Sequence, residues 1–418
     1  AIMGADWAMI DPGLIDETVA RFRCQDTEKR IAFSQAVPGL GTMVVDRTTI
    51  HSLAESNKSA PNGSNHFATI GGLVGYIPVV PQADPIAKGV CVGIDPELRD
   101  AGVRVIADSD ARLSAMCKAF ESVKNDSERE EFDGVCCVQA FGQEIKREDR
   151  RCPRTIVLET CTGRLASGGW GVWKRNAIEP AERAVLSMND AHALFRDAHK
   201  LRSDVAVVFD GVGDPLMHPG AIDFVQLAKE DGISSVELRT DMLREGVGAQ
   251  ELLDAGIDVL SVDVLAENKE TYSALTGVDR LDDVYARIQG VFDVLRGDRS
   301  ATTWFVPRMT KCDAVYEEVE QFYAKWLMIC GSAIIDAIPG RVSGQRIQRL
   351  PIPEARQEQL DRSTMYVQCD GTVVDRLGQS IRGINVFEDG VEVAYQKMCS
   401  ALRDSQIEPK SISNEFAA

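Results

Sequence analysis

Six short apolar runs, each followed by a helical pattern, constrain this chain more than any other feature. They are Thr155 to Leu158, Val205 to Phe209, Ser235 to Leu238, Val259 to Val262, Thr302 to Val306 and Ala333 to Ala337. β-Branched and apolar runs of this length, bounded by turn signals, read as strands buried on both faces. Between them apolar residues recur at helical spacing, over Asn189 to Lys200, Gly220 to Lys229, Leu281 to Leu295 and Ala314 to Trp326. Strands separated by helices pair in parallel through right-handed crossovers, so the predicted fold is α/β, an open doubly wound sheet or a partial barrel. In a partial barrel the strand ends gather around one mouth, where such folds bind ligands.

The second strand runs into the turn of Val205 to Pro219, VAVVFDGVGDPLMHP. Gly211 and Gly213 let the backbone approach a small molecule closely, with amides and carbonyls free to contact it, and Asp214 adds a fixed charge. The plainer reading is an ordinary strand-to-helix turn. After the first strand comes a long glycine-containing loop, Glu159 to Asn176, ETCTGRLASGGWGVWKRN. The later strands end in Arg239-Thr240-Asp241-Met242, Ser261-Val262-Asp263 and Pro307-Arg308-Met309-Thr310. Several side chains have bland alternatives. Cys161 reads as a small apolar residue, a reactive thiol or a ligand, and His218 as a local hydrogen-bonding residue or a ligand contact. Trp170 and Trp173 cover the mouth, face a partner or pack the loop. Lys174 and Arg175 read as solvent-facing, and Glu317, Glu318 and Glu320 as a solvated helix face.

This ordered set of strand ends resembles the radical S-adenosylmethionine superfamily, specifically its members with a SPASM-type C-terminal extension. The resemblance spans Thr155 to Met309 and implies a partial (β/α)6 TIM-like barrel over residues 151–338. In that family the loop after the first strand carries CxxxCxxC, whose three thiolates hold a four-iron four-sulfur cluster with one open iron that chelates S-adenosylmethionine. By resemblance Gly211, Gly213, Asp214 and Pro215 match the turn that contacts the methionine amino group. Thr240 and Asp241 stand where Thr-Asn-Gly is usual, and Ser261 and Asp263 at the ribose position. Cys161 matches the first cluster ligand, but Leu165 and Gly168 stand where the second and third cysteines belong, and neither supplies a thiolate.

Residues 339–418 resemble a SPASM extension in degenerate form. Met365 to Val374 reads as a hairpin turning at Asp370-Gly371, and a helix is predicted from about Gly390. Cysteines that hold auxiliary clusters in such extensions are reduced here to Cys369, with Cys399 well beyond it. Residues 1–150 are expected to form an α/β domain whose first 120 or so residues loosely resemble the second half of a nucleotidyltransferase-like domain, through GADWAMIDPGLID and the turn Pro38-Gly39-Leu40-Gly41 before a strand at Thr42 to Val45. The glycine-rich nucleotide loop of such domains is absent, so a binding or dimerising remnant is expected, from a chain whose first part is missing or processed. Helices are predicted after Asp11-Pro12-Gly13, from about Thr48 and from Asp108 to Val123. Lys124 to Glu131 reads as solvated surface, and the stretches Ser56 to Asn65 and Tyr76 to Pro85 as loop.

The 418 residues exceed one ordinary core, and the net charge of −18 opposes association with nucleic acid or an acidic membrane. No apolar run approaches the roughly 20 residues of a membrane helix. The 11 cysteines form no CxxC and no scaffold spacing, which fits a reducing compartment, so a cytoplasmic protein is expected. No Ser-His-Asp set, P-loop or paired-His helix is present, and GVGDPL lacks the third glycine of a dinucleotide fingerprint. The expectation is a protein without a cluster or bound cofactor, acting as a binding or scaffolding subunit with a protein partner or an active paralogue. Two alternatives stand beside it. One is an active radical enzyme with S-adenosylmethionine and a four-iron four-sulfur cluster, modifying a peptide or glycan. The other is a cluster-free enzyme that binds a nucleotide or sugar.

Overall fold

The computed structural model describes residue 1 and residues 5–25, 31–34, 36–37, 39–51, 90–94, 103, 105–107, 110–126, 134–166, 185–202, 204–297, 303–336, 340–342, 345–347, 362–376 and 378–407. The stretches 56–65 and 76–85, the residues 127–131, and Gly168, Trp170, Trp173, Lys174 and Arg175 lie outside the described residues. The chain divides into two compact units. The first comprises Ala1–Glu148, Gly290–Trp304 and Lys325–Ser332, and the second Asp149–Gln289, Phe305–Ala324 and Ala333–Ala418.

In the first unit, α1 (Pro12–Arg23) starts where expected, because the Asp11 carboxylate accepts from the Gly13 and Leu14 amides and Pro12 occupies the first turn. β1 (Ile31–Ser34) pairs antiparallel with β2 (Met43–Val45) and parallel with β3 (Cys91–Val92). α2 (Asp110–Asp126) and α3 (Gly134–Glu148) share a core of Met9, Leu14, Leu40, Val105, Met116, Ala119, Val138, Phe141 and Ile145.

The second unit is built on nine described strands in one sheet. β4 (Thr155–Leu158), β5 (Ala206–Phe209), β6 (Ser235–Thr240) and β7 (Val259–Asp263) lie side by side in sequence order, parallel and in register. β8 (Trp304–Thr310) and β9 (Ile334–Asp336) continue the order, again parallel to each other. This mixed α/β architecture with a sequential parallel sheet is the one expected from the alternation of strand and helix patterns. β8 runs through Pro307 to Thr310, beyond the expected end at Val306, so Arg308 lies inside a strand rather than after one.

Helices alternate with the strands along the chain. α4 (Met188–Leu201) is capped by Ser187, whose hydroxyl accepts from the Asp190 amide, and buries Ala191, Leu194, Phe195 and Ala198 at helical spacing. α5 (Ala221–Glu230) adds Phe224, so that Phe195 and Phe224 both stand 6.2 Å from the Phe209 ring of β5. α6 (Ala249–Asp254) and α7 (Lys269–Thr276) are short helices that the sequence pattern does not announce. α7 starts at an Asn268 cap and ends at Gly277, whose φ of 75° only glycine adopts readily. α8 (Leu281–Gly297) follows the expected pattern, whereas α9 (Val319–Cys330) starts later than the expected Ala314, after a 3-10 turn over Asp313–Val315, and runs past Trp326. Glu318 is no simple solvated side chain, because its carboxylate accepts from the Glu267 and Asn268 amides at 2.6 and 3.1 Å.

β10 (Gly340–Val342) and β11 (Gln345–Ile347) form a separate antiparallel pair. The hairpin expected at Met365 to Val374 is present as β12 (Thr364–Val367) and β13 (Thr372–Val374), with Gly371 at φ 84°. Its first strand pairs parallel with β4, so the hairpin is continuous with the main sheet, and β14 (Ser380–Asn385) follows on the far side. After α10 (Val386–Asp389), α11 (Val391–Ile407) returns to the sheet. Its Tyr395 hydroxyl lies 2.7 Å from the Arg362 carbonyl and 2.9 Å from that of Asp149, with one proton to share between them, and the buried Arg202 guanidinium pairs with Asp149 and Asp204. No described helix is long and apolar enough to cross a membrane.

Candidate functional site

The carboxyl ends of β4 to β8 converge on a buried polar region in the second unit. At β4 and β5 it is made of backbone. Gly213 N donates to Cys161 O at 3.2 Å and Asp214 N to Gly163 O at 2.8 Å, while Gly211 N and Val212 N donate to the carboxylates of Asp210 and Glu159. The close approach expected of Gly211 and Gly213 is therefore made to the chain itself. A Cβ on Gly213 would stand 2.4 Å from Cys161 O, and one on Gly211 would stand 2.6 Å from the Glu159 side chain. Glu159 also accepts from the Cys369 thiol at 3.3 Å, which ties the β12–β13 turn to the end of β4.

Asp214 organises the next step. Its buried carboxylate accepts from Leu216 N, from the Thr240 hydroxyl and from Asp241 N at 2.7 Å. Pro215 begins a short 3-10 turn. The His218 Nδ1 that follows accepts from Gly220 N, the local role expected of it. Burial, then the neighbouring Asp241 charge, push the Asp214 carboxyl well above the usual carboxylate range despite Arg164 nearby. Burial likewise raises Asp210, with Arg239 opposing it.

Beyond β5 the ends are charged. Glu237 and Arg239 alternate with buried Val236, Leu238 and Thr240 along β6, so one face of this strand is polar. Arg239 Nε stands 2.7 Å from Glu237, Ser261 Oγ donates to Glu237 at 2.7 Å, and Arg308 approaches both Glu237 and Asp263. Burial raises the Glu237 carboxyl, but Arg239, Arg308 and hydrogen bonds outweigh it and hold the group at about 2. Arg164 closes this region from the β4 loop. Its side chain is 7% exposed, with Nε 3.1 Å from Asp241 and Nη2 3.4 Å from Asp263.

The residues matched to the ligand-binding positions in the sequence, Cys161, Gly211, Gly213, Asp214, Pro215, Thr240, Asp241, Ser261 and Asp263, thus lie at these strand ends. Glu237 and Arg164 were not singled out. The alternation of charge inside VELRT was a readable sign for Glu237; nothing local marks Arg164.

The donor set of the β4 loop does not fit a cluster held by three thiolates. The Cys161 thiol is buried and donates to Asp214 O at 3.3 Å, and burial first of all pushes its pKa up, so it is held as a thiol. Leu165, at the second ligand position, is a hydrocarbon side chain 42% exposed. Cys152 is a buried structural thiol, raised to about 12 chiefly by burial. Among the described residues no three His, Cys, Asp or Glu side chains come together as a metal site.

No protein-family model matches this sequence. No curated protein matches it either. Solved structures that match this chain include Streptococcus suis SuiB bound to S-adenosylmethionine, 12% identical with a TM-score of 0.46 over 75% of this chain and 84% of that one. SuiB bound to its precursor peptide SuiA is 12% identical, with a TM-score of 0.40 over 70% of this chain and 80% of that one. Escherichia coli coproporphyrinogen III oxidase HemN, a radical S-adenosylmethionine enzyme, is 11% identical, with a TM-score of 0.30 over 47% and 48% of the two chains.

Proposed function

We propose that this chain is a cluster-free protein of the radical S-adenosylmethionine fold that acts as a binding subunit for a protein or peptide partner. The observation that carries this reading is the state of the β4 loop. Cys161, its one matching thiol, is engaged as a donor to Asp214 O, and the next ligand position is Leu165. Iron–sulfur sites need several anionic sulfur ligands, and this loop offers a single protonated one. The turn of Gly211 to Asp214 supports the same reading, since its amides are spent on Glu159, Asp210, Cys161 and Gly163. In this reading the degenerate C-terminal extension and the first unit serve binding as well.

The test is anaerobic reconstitution with iron and sulfide, followed by S-adenosylmethionine and dithionite, with 5′-deoxyadenosine measured by chromatography. The expected outcome is no product above a protein-free control. Turnover that depends on Cys161 would establish the active-enzyme alternative instead.

A further inference from the structure

We propose that the ends of β6 and β7 form a guanidinium site, filled in this chain by its own Arg164 and taken by a guanidinium-bearing ligand when Arg164 is displaced. This rests on the reading of the chain as a cluster-free binding protein and names the ligand class of that same site.

The geometry points to a plug. Gly163 and Leu165 are exposed, yet the Arg164 side chain between them turns inward until it is 7% exposed. The groups that receive it are Asp241 after β6 and Asp263 at the end of β7, and the Tyr272 hydroxyl on α7 is near enough to feel their charges and that of Arg164. Asp241 is set in place beforehand. Its amide donates to Asp214, and its Oδ1 accepts from Leu243 N at 3.0 Å, which leaves Oδ2 for Arg164. Carboxylates on two sides of a planar cation match the fork of a guanidinium better than the point charge of an ammonium.

The plug fits imperfectly. Arg164 Nη2 donates to Asp263 at 3.4 Å, but Nε and Asp241 Oδ2, 3.1 Å apart, have no partner with hydrogen-bond geometry among the described residues, so the contact with Asp241 is one of charge alone. The Tyr272 hydroxyl, on a fully buried side chain, also lacks a hydrogen-bond partner among the described residues. Buried polar groups left in this state carry an uncompensated desolvation cost. The backbone on the N-terminal side is tethered, because Gly163 O accepts from the Asp214 amide at 2.8 Å. An untethered guanidinium has no such restraint and can align with Asp241, Asp263 and Tyr272 together.

The test is calorimetric titration of the full chain with methylguanidinium chloride, against sodium chloride at matched ionic strength. Arg164→Ala is expected to bind methylguanidinium at least tenfold tighter than the wild type, and methylammonium more weakly. Adding Asp241→Asn to Arg164→Ala is expected to abolish the gain. Tighter binding of N-acetyl-argininamide than of methylguanidinium identifies the ligand as an arginine within a peptide; equal binding identifies a free guanidinium compound. Equal affinity of folded wild type and Arg164→Ala overturns the proposal. Should Arg164→Ala fail to fold, the wild type still decides. Its Arg164 Nε–H resonance, assigned with Arg164→Lys, is expected to shift on saturation with methylguanidinium, and an unchanged resonance overturns the proposal. Iron and sulfide in the wild type would remove the reading beneath it, whereas iron-free Arg164→Ala without affinity would remove this inference alone.

Discussion

The strand ends of β4 and β5 and those of β6 to β8 are both filled, but by different materials. At β4 and β5 main chain lies on main chain: Gly213 and Asp214 donate to the carbonyls of Cys161 and Gly163, and there is no room for a Cβ. At β6 to β8 the filling is side chain, with Arg164, Arg239 and Arg308 set among Glu237, Asp241 and Asp263. Backbone contacts of the first kind are fixed by the fold and leave only by unfolding. A guanidinium on a loop leaves by rotating its own side chain, at the cost of its ion pairs.

Four substitutions separate the two kinds of closure. Gly213→Ala is expected to have the largest effect, about 3 kcal/mol of lost stability in chemical denaturation, since its Cβ meets unyielding carbonyls. Glu237→Gln comes next. The Glu237 carboxyl is held at about 2 when folded, below its ordinary 4.5, so it contributes stability above the unfolded value that is lost as pH falls through the folded one. That loss is on the order of 2–3 kcal/mol between pH 4.5 and 2, and acid denaturation of Glu237→Gln should lack it. Arg164→Ala is expected to cost about 1–2 kcal/mol, the cost of leaving hydrogen-bonding groups unpaired and less than the roughly 3–5 kcal/mol of a broken, fully sealed ion pair, because water can enter at a loop and hydrate the two carboxylates it leaves. A larger loss than that of Gly213→Ala would mean that both halves are equally fixed. Cys161→Ser should cost about 1 kcal/mol or less, since a hydroxyl can still donate to Asp214 O. A collapse of expression or folding in that variant would show the thiol doing more than this contact.

Much of the second unit is legible in sequence, because parallel strands buried on both faces are continuous apolar runs and their helices carry a separate period. Thr155 to Leu158 and Leu281 to Leu295 announce themselves in this way. β8 is harder to bound, since Pro307 reads as a strand end and yet is accommodated inside it. The hairpin of β12 and β13 is readable from its Asp-Gly turn, but its parallel pairing with β4 joins residues about 210 apart, and no local pattern records that. The site divides in the same manner. Gly211 and Gly213 are conspicuous, but only the folded chain shows that they make room for Glu159 and Cys161. Arg164 is one of many arginines in sequence, and its place depends on Asp241 and Asp263 arriving from two other strands.

The most direct test of a cluster-free chain is the iron and acid-labile sulfide content of protein purified without oxygen, read together with its visible spectrum. With one protonated thiol at the end of β4 and Leu165 beside it, colourless protein with neither element is expected. About four irons per chain with a charge-transfer band would contradict it, and would require cysteines other than those of the β4 loop to hold a cluster.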